Sequence, residues 1–161
     1  MYHNNLIKRM KNLRKTITLL IVIGLLGSFS SSAFSLSSEW IDNEVSQVRL
    51  ISPFTHNNDQ KELIIGLQYK MKPGWKTYWQ SPGDGGFAQN ISWENSTNIE
   101  KVEIKWPMPL EFEILGLQSL GYENDVIFPL LLKFKDKKEL TNLDLSINYL
   151  TCKDICIPGN A

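Results

Sequence analysis

Only two cysteines occur in the 161 residues of the chain, Cys152 and Cys156 in the stretch NYLTCKDICIPGNA. Two thiols this close could exchange reversibly with partner thiols, close a structural bridge, or bind a metal ion. Four residues of extended chain would separate the two Cα atoms by roughly 13 Å, whereas a disulfide needs roughly 4.4–6.8 Å. A bond therefore requires a tight turn or one helical turn, and Pro158 prevents a helix from continuing far.

The sequence supports the three kinds of chemistry unequally. A bridge across so short a loop removes little entropy from the unfolded chain, so a purely structural disulfide would stabilise the fold only modestly. A closed zinc site needs four ligands, and the only histidines are His3 and His56. Redox exchange and a structural bridge both stay open on spacing alone, while no metal site is expected.

The first 35 residues predict a secretory signal peptide. Basic side chains precede an apolar run from Ile17 to Phe29, and small residues suited to cleavage follow in SSSAFS. The apolar run is about 13 residues long, shorter than the roughly 20 that a spanning helix needs, which favours cleavage over a permanent membrane anchor. Export would place residues 36–161 in an oxidising compartment, the bacterial periplasm, where a disulfide can form and persist.

The charge of the exported part makes two classes of partner unfavourable. Residues 1–35 carry five of the 17 basic side chains and no acidic ones, which leaves 12 basic against 17 acidic residues, a net charge of −5. Such a balance argues against nucleic acid and against anionic lipid surfaces as partners.

The elements that must position the cysteines are predicted to be short β-strands. Apolar and polar residues alternate in VEIKW and in LDLSINY, and the second of these runs directly into Cys152. Further strands are predicted at Val45–Ser52, Glu62–Tyr69, Lys76–Gln80, Ile91–Trp93 and Val126–Lys133, with turn-forming clusters between them. Seven or so strands without helical periodicity predict a single antiparallel β-sandwich. The stretch from Pro107 to Gly121 lacks clear alternation and is expected to be the longest loop.

Aromatic side chains are the second unusual feature of the chain. Trp75, Tyr78 and Trp79 cluster in PGWKTYWQSPGDGG, and two more tryptophans follow at positions 93 and 106. Large aromatics dominate the interiors of β-sandwiches, so core packing is the favoured interpretation. A solvent-facing platform that stacks on sugars is the functional alternative.

Three stretches, taken in order, resemble one known family. KPGWKTYWQSPGDGGFAQNISW, IKWPMPLEFEILGLQSLGYENDVIFPLLL and INYLTCKDICIPG are similar to the N-terminal periplasmic domain of the DsbD thiol:disulfide interchange proteins, in the branch that includes ScsB-like reductases. The resemblance covers about Val45 to Gly159. It implies an immunoglobulin-like β-sandwich with a redox-active cysteine pair and no other cofactor.

The resemblance also implies a place in an electron relay. In the family, a membrane domain draws electrons from cytoplasmic thioredoxin and a thioredoxin-like domain passes them to this domain. This domain then reduces periplasmic thioredoxin-fold partners, a protein-disulfide reductase activity that serves processes such as cytochrome c biogenesis.

Individual residues match positions with known roles in the family. Cys156 matches the cysteine that forms mixed disulfides with partners, and Cys152 matches its companion. Tyr78 matches an aromatic beside the site. The stretch PLEFEILG matches a cap that shields the pair, with residues Glu111, Phe112, Glu113, Ile114 and Leu115. Glu113 falls near an acidic position of the family and, like Asp154, could take the proton of the attacking thiol or, by its charge, keep the pKa of that thiol high. The positive charge of Lys153 would lower that pKa instead.

The chain departs from the family pattern in two respects. The best-known members place five residues between the cysteines rather than three, and the family has at least one further strand after the pair, whereas this sequence stops at Ala161. We therefore expect residues 36–161 to form a C-terminally truncated domain that lacks its final strand. The alternatives to a redox domain are a non-enzymatic periplasmic binding or interaction module with a structural disulfide, and an inactive gene fragment.

Overall fold

Two antiparallel β-sheets make up the part of the chain that the computed structural model describes, residues 36–54 and 60–161. No helix occurs among these residues, and hence none that could cross a membrane. The twelve strands are β1 (Leu36–Ser37), β2 (Ile41–Asp42), β3 (Ser46–Ser52), β4 (Glu62–Met71), β5 (Lys76–Gly83), β6 (Asn90–Ser92), β7 (Ile99–Ile104), β8 (Leu110–Ile114), β9 (Leu117–Glu123), β10 (Asp125–Phe134), β11 (Ser146–Cys152) and β12 (Cys156–Asn160).

The two sheets pack as a sandwich, which confirms the predicted fold class. Sheet A has the order β1-β3-β4-β10-β7, and β2 also pairs with β3. Sheet B has the order β12-β11-β5-β9-β8, and β6 also pairs with β11. The predicted signal peptide at 1–35 and His56 lie outside the described residues.

Strand β10 shows how the alternating sequence builds the core. Every second side chain, from Val126 through Phe128 to Phe134, is buried between the sheets. The ring of Phe128 meets three aromatic rings edge to face, those of Tyr69 and Trp106 with centroids 5.4 Å away and that of Tyr122 at 5.0 Å. This aromatic cluster is the centre of the main core.

Four of the five tryptophans pack against the same core. Trp75, Trp79, Trp93 and Trp106 are half-buried and pack against the main core. Their rings therefore contribute to burial of apolar surface, as the sequence predicts, and they do not form a platform that faces solvent.

The prediction of a long loop between Pro107 and Gly121 is wrong, because this stretch forms the hairpin of β8 and β9. Leu115 and Gly116 make the turn with φ of 54° and 79°, the left-handed pair that a tight hairpin turn requires. Phe112 and Ile114 do alternate with acidic residues, but the run is short. Its apolar side chains belong to a second cluster outside the main core, which also contains Tyr78, Leu150 and Cys152. The β8–β9 hairpin replaces the predicted loop.

A strand that the sequence does not predict follows the cysteines. Residues Cys156–Asn160 form β12, which pairs antiparallel with β11 along its whole length. Ile147 and Ala161 exchange two backbone hydrogen bonds of 2.8 and 3.0 Å, and the Asn43 side chain donates to the carbonyl of Asn160 at 3.2 Å. These contacts hold β12 against the sheet. The truncation expected from the sequence stays a prediction.

Candidate functional site

A disulfide joins Cys152, the last residue of β11, to Cys156, the first residue of β12. The two are register partners, with Cα atoms 4.1 Å apart, and the residues between them form a three-residue turn. Within this turn the Lys153 amide donates to the carbonyl of Ile155 at 2.9 Å. Of the two conformations compatible with the spacing, the chain adopts the tight turn.

The disulfide lies on the outer face of sheet B. Ile147, Tyr149 and Thr151 are buried on the face of β11 that points to the main core. Side chains alternate along a strand, so Leu150 and Cys152 point to the opposite face. Cys152 is nonetheless completely buried, because a second apolar cluster covers it.

The cover comes from the β8–β9 hairpin and from β5. On β9, Gly121 is the register partner of Tyr78 and Ser119 is the register partner of Phe112. Because Ser119 and Gly121 are two residues apart on the same strand, the rings of Tyr78 and Phe112 lie on the same face of the sheet. Their centroids are 6.1 Å apart. Together with Ile114 they enclose Cys152 in the second cluster. Burial raises the pKa of Tyr78, so its phenol stays neutral beside the disulfide.

Three other residues predicted for the site lie elsewhere. Glu111 and Glu113 alternate with Phe112, so they point to the opposite, solvent-exposed face of β8. The carboxylate of Glu113 accepts a long hydrogen bond from Gln118 at 3.5 Å. Leu115 is exposed at the tip of the hairpin. The structure thus brings Tyr78, Phe112 and Ile114 to the disulfide and leaves these three away from it.

The two cysteines differ strongly in accessibility. Cys152 has no exposed surface, whereas Cys156 is exposed at the edge of the sheet. The neighbouring residue Ile155 is exposed as well, with 61% of its surface accessible. An incoming thiol can therefore reach Cys156 but not Cys152, and the disulfide is open to attack from one side only.

Sequence reasoning missed a charged pair beside the disulfide. Lys76 on β5 is the register partner of Cys152, and its ammonium lies 3.4 Å from the Glu123 carboxylate on β9. The alternation of KTYWQ places Lys76 on the same face as Tyr78, which sequence can show. Its register against Cys152 depends on strand pairing between distant parts of the chain, which sequence alone does not show.

We expect Gly86→Ala to disturb the site. Gly86 has a φ of 80°, and an added Cβ would overlap the Tyr78 ring. Gly116→Ala is the matched control, because Gly116 has a φ of 79° and no atom within 4 Å of the added Cβ. Overpacking should lower the free energy of unfolding by about 2 kcal/mol more in Gly86→Ala than in Gly116→Ala, measured by urea denaturation. Equal losses would show that the Tyr78 contact is unimportant.

No group of three or more His, Cys, Asp or Glu side chains suited to a metal ion occurs within residues 36–54 and 60–161.

Comparisons with known proteins identify related sequences and structures. The model of a protein family described as "Thiol:disulfide interchange protein DsbD, N-terminal" matches residues 44–161. The crystal structure of the N-terminal periplasmic domain of ScsB from Proteus mirabilis is 30% identical, with a TM-score of 0.66. The match covers 80% of this chain and 50% of the ScsB chain, so this chain spans about half the length of that relative. No curated protein matches the chain.

Proposed function

The chain belongs to the family of DsbD N-terminal domains, and from this premise we propose that it passes reducing equivalents in the periplasm through Cys152 and Cys156. The electrons would come from a membrane electron-conducting domain or protein and go to periplasmic thioredoxin-fold proteins. In this proposal the redox-active group is the disulfide between the two cysteines.

The observation that carries this proposal is the unequal exposure of the two cysteines. A reduced partner presents a thiolate that attacks the sulfur of exposed Cys156, the disulfide breaks, and buried Cys152 leaves as a thiolate. A second thiolate of the same partner then attacks the partner's sulfur in the mixed disulfide, and Cys156 is released as a thiolate. Two electrons enter the domain, the partner becomes a disulfide, and solvent supplies protons to the new thiols.

Delivery to an acceptor reverses these steps. The Cys156 thiolate attacks an acceptor disulfide, and Cys152 then attacks Cys156 to release the reduced acceptor. Both half-reactions pass through a mixed disulfide at the exposed cysteine. This order matches the roles that the family resemblance assigns to Cys156 and Cys152.

The cluster around Cys152 gives the cap residues a role in the proposal. Phe112 and Ile114 cover the buried cysteine, and with Tyr78 they restrict attack to the Cys156 side. Glu113 points away from Cys152, so its predicted role as proton acceptor is not part of the proposal. Asp154 is exposed in the turn between the cysteines, two residues from each of them in the sequence.

A redox titration with a thioredoxin-fold protein tests the function. The oxidised chain is mixed with a fully reduced partner, and the thiols of both are counted after acid quenching and alkylation. We expect Cys152 and Cys156 to become reduced while the partner becomes oxidised. A chain with both cysteines changed to serine should leave the partner reduced. A disulfide that stays oxidised at every redox poise would favour the structural bridge and overturn the proposal.

A further inference from the structure

Four residues, two cysteines and an ion pair, lie in one row across sheet B. Cys156 on β12 opposes Cys152 on β11, Cys152 opposes Lys76 on β5, and Lys76 opposes Glu123 on β9. Directly opposed residues of antiparallel strands present their side chains on the same face, with Cβ atoms about 4.5–5.5 Å apart. The Lys76 side chain therefore leaves the sheet beside that of Cys152, on the face that the cap covers.

Contacts with three groups fix the position of the Lys76 ammonium. Its Nζ lies 3.4 Å from Oε1 of Glu123, donates to the carbonyl of Gly74 at 3.2 Å, and lies 5.7 Å from the centre of the Phe112 ring. Only 19% of the side chain is exposed. A cation withdrawn from solvent is screened less by water and salt than a surface lysine, so it acts more strongly on a neighbouring charge.

The other charged groups near the disulfide are more exposed. Lys153 packs along Gly74, where an added Cβ would lie 3.2 Å from its Cε, but the residue is exposed, as is Asp154. Glu123 is 38% exposed and neutralises Lys76 in part. The Tyr78 phenol stays neutral. Among the described residues around Cys152, Lys76 is thus the cation most withdrawn from solvent.

We propose that Lys76 is a positioning residue of the exchange reaction, which acts through Cys152 by stabilising the thiolate that leaves when a partner attacks Cys156. The inference rests on the proposed function for its role in catalysis. In that step the partner's thiolate bonds to Cys156, the bond between the two cysteine sulfurs breaks, and its electron pair stays on Cys152. Because a more stable thiolate leaves faster, Lys76 accelerates reduction of the domain and favours its reduced form.

Titration of a single thiol tests this without any partner protein. In the full chain carrying Cys156→Ser, Cys152 is the remaining thiol, and the ultraviolet absorbance of its thiolate is followed against pH. Adding Lys76→Met, which keeps the length of the side chain but removes its charge, should move the titration midpoint up by about one pH unit. Lys76→Arg keeps the charge, so the midpoint of Cys152 in that variant should lie close to its value in the chain that retains Lys76.

Two further variants separate charge from packing. Glu123→Gln removes the partner carboxylate and should move the midpoint down, opposite to Lys76→Met, which loss of packing alone would not do. Lys101→Met is the matched distant control, since Lys101 lies on β7 of sheet A and pairs with Glu103 at 3.3 Å. It should leave the midpoint unchanged. Thermal unfolding verifies that each variant is folded, and Glu123→Gln carries the test if Lys76→Met is not.

The outcomes distinguish this inference from the proposed function. An unchanged midpoint in Lys76→Met, or a shift of the same size in Lys101→Met, overturns the role of Lys76 even if the wild-type chain exchanges disulfides. A shifted midpoint in a chain that never exchanges disulfides with partners supports the charge effect and overturns the function. With both cysteines present, Lys76→Met should also be reduced more slowly by dithiothreitol than the wild-type chain is.

Discussion

The Cys152→Ser chain is expected to form a mixed disulfide with a thioredoxin-fold partner more than an order of magnitude faster than the Cys156→Ser chain. In the first variant the remaining thiol is exposed Cys156, whereas in the second it is Cys152, which has no exposed surface. A completely buried thiol is a poor nucleophile towards another protein, because it cannot reach the partner's sulfur. The difference in accessibility therefore becomes a difference in rate.

The measurement uses a partner with one active-site cysteine, activated as a mixed disulfide with an aromatic thiol. Release of the coloured aromatic thiolate gives the rate, and non-reducing gels show the protein adduct. The chain with both cysteines changed to serine is the control and should release none. Faster adduct formation by Cys156→Ser would reverse the assignment and make Cys152 the attacking residue.

Phe128→Ala should lower the free energy of unfolding by about 4 kcal/mol, since it removes a large side chain from a closely packed core. Phe128 has no exposed surface and meets Tyr69, Trp106 and Tyr122 edge to face, so the truncation leaves a cavity that three rigid rings cannot readily fill. Urea denaturation followed by tryptophan fluorescence measures the loss.

The neighbouring residue provides the control for this prediction. Ile127 precedes Phe128 on β10 but points outward and is 45% exposed. Ile127→Ala should therefore cost about 1 kcal/mol or less. Similar losses at the two positions would mean that the aromatic cluster is not the centre of the core.

The sheets were predictable where alternation is long and one face is buried in the main core. The strand predicted at Val126–Lys133 is observed as Asp125–Phe134, and the one predicted at Glu62–Tyr69 extends to Met71. The prediction failed for the β8–β9 hairpin, where two apolar side chains of a short strand cover a cluster outside the core. Strand β12 was also missed, because CIPGN shows no apolar alternation and is held by pairing with β11.

The candidate site was predictable in its chemistry and only partly in its members. The spacing of the cysteines required a tight turn or one helical turn, and the family resemblance pointed to the cap and to Tyr78. It also pointed to Glu111 and Glu113, but side chains alternate along β8, and these two point to the face away from the disulfide. A shift of one position along a strand moves a side chain to the other face, so residue matching alone could not decide this point.

The sequence by itself determined the class of fold and the pair of thiols available for exchange, because both follow from local patterns of residues along the chain. Only the tertiary structure decided which thiol is exposed and which is buried, since the cover over Cys152 comes from β5 and β8. The tertiary structure also places Lys76 beside Cys152. The two residues are neighbours because of the register in which β5 pairs with β11, and these strands are distant in the chain. Burial and register arise from long-range pairing, and they determine how these two cysteines can react.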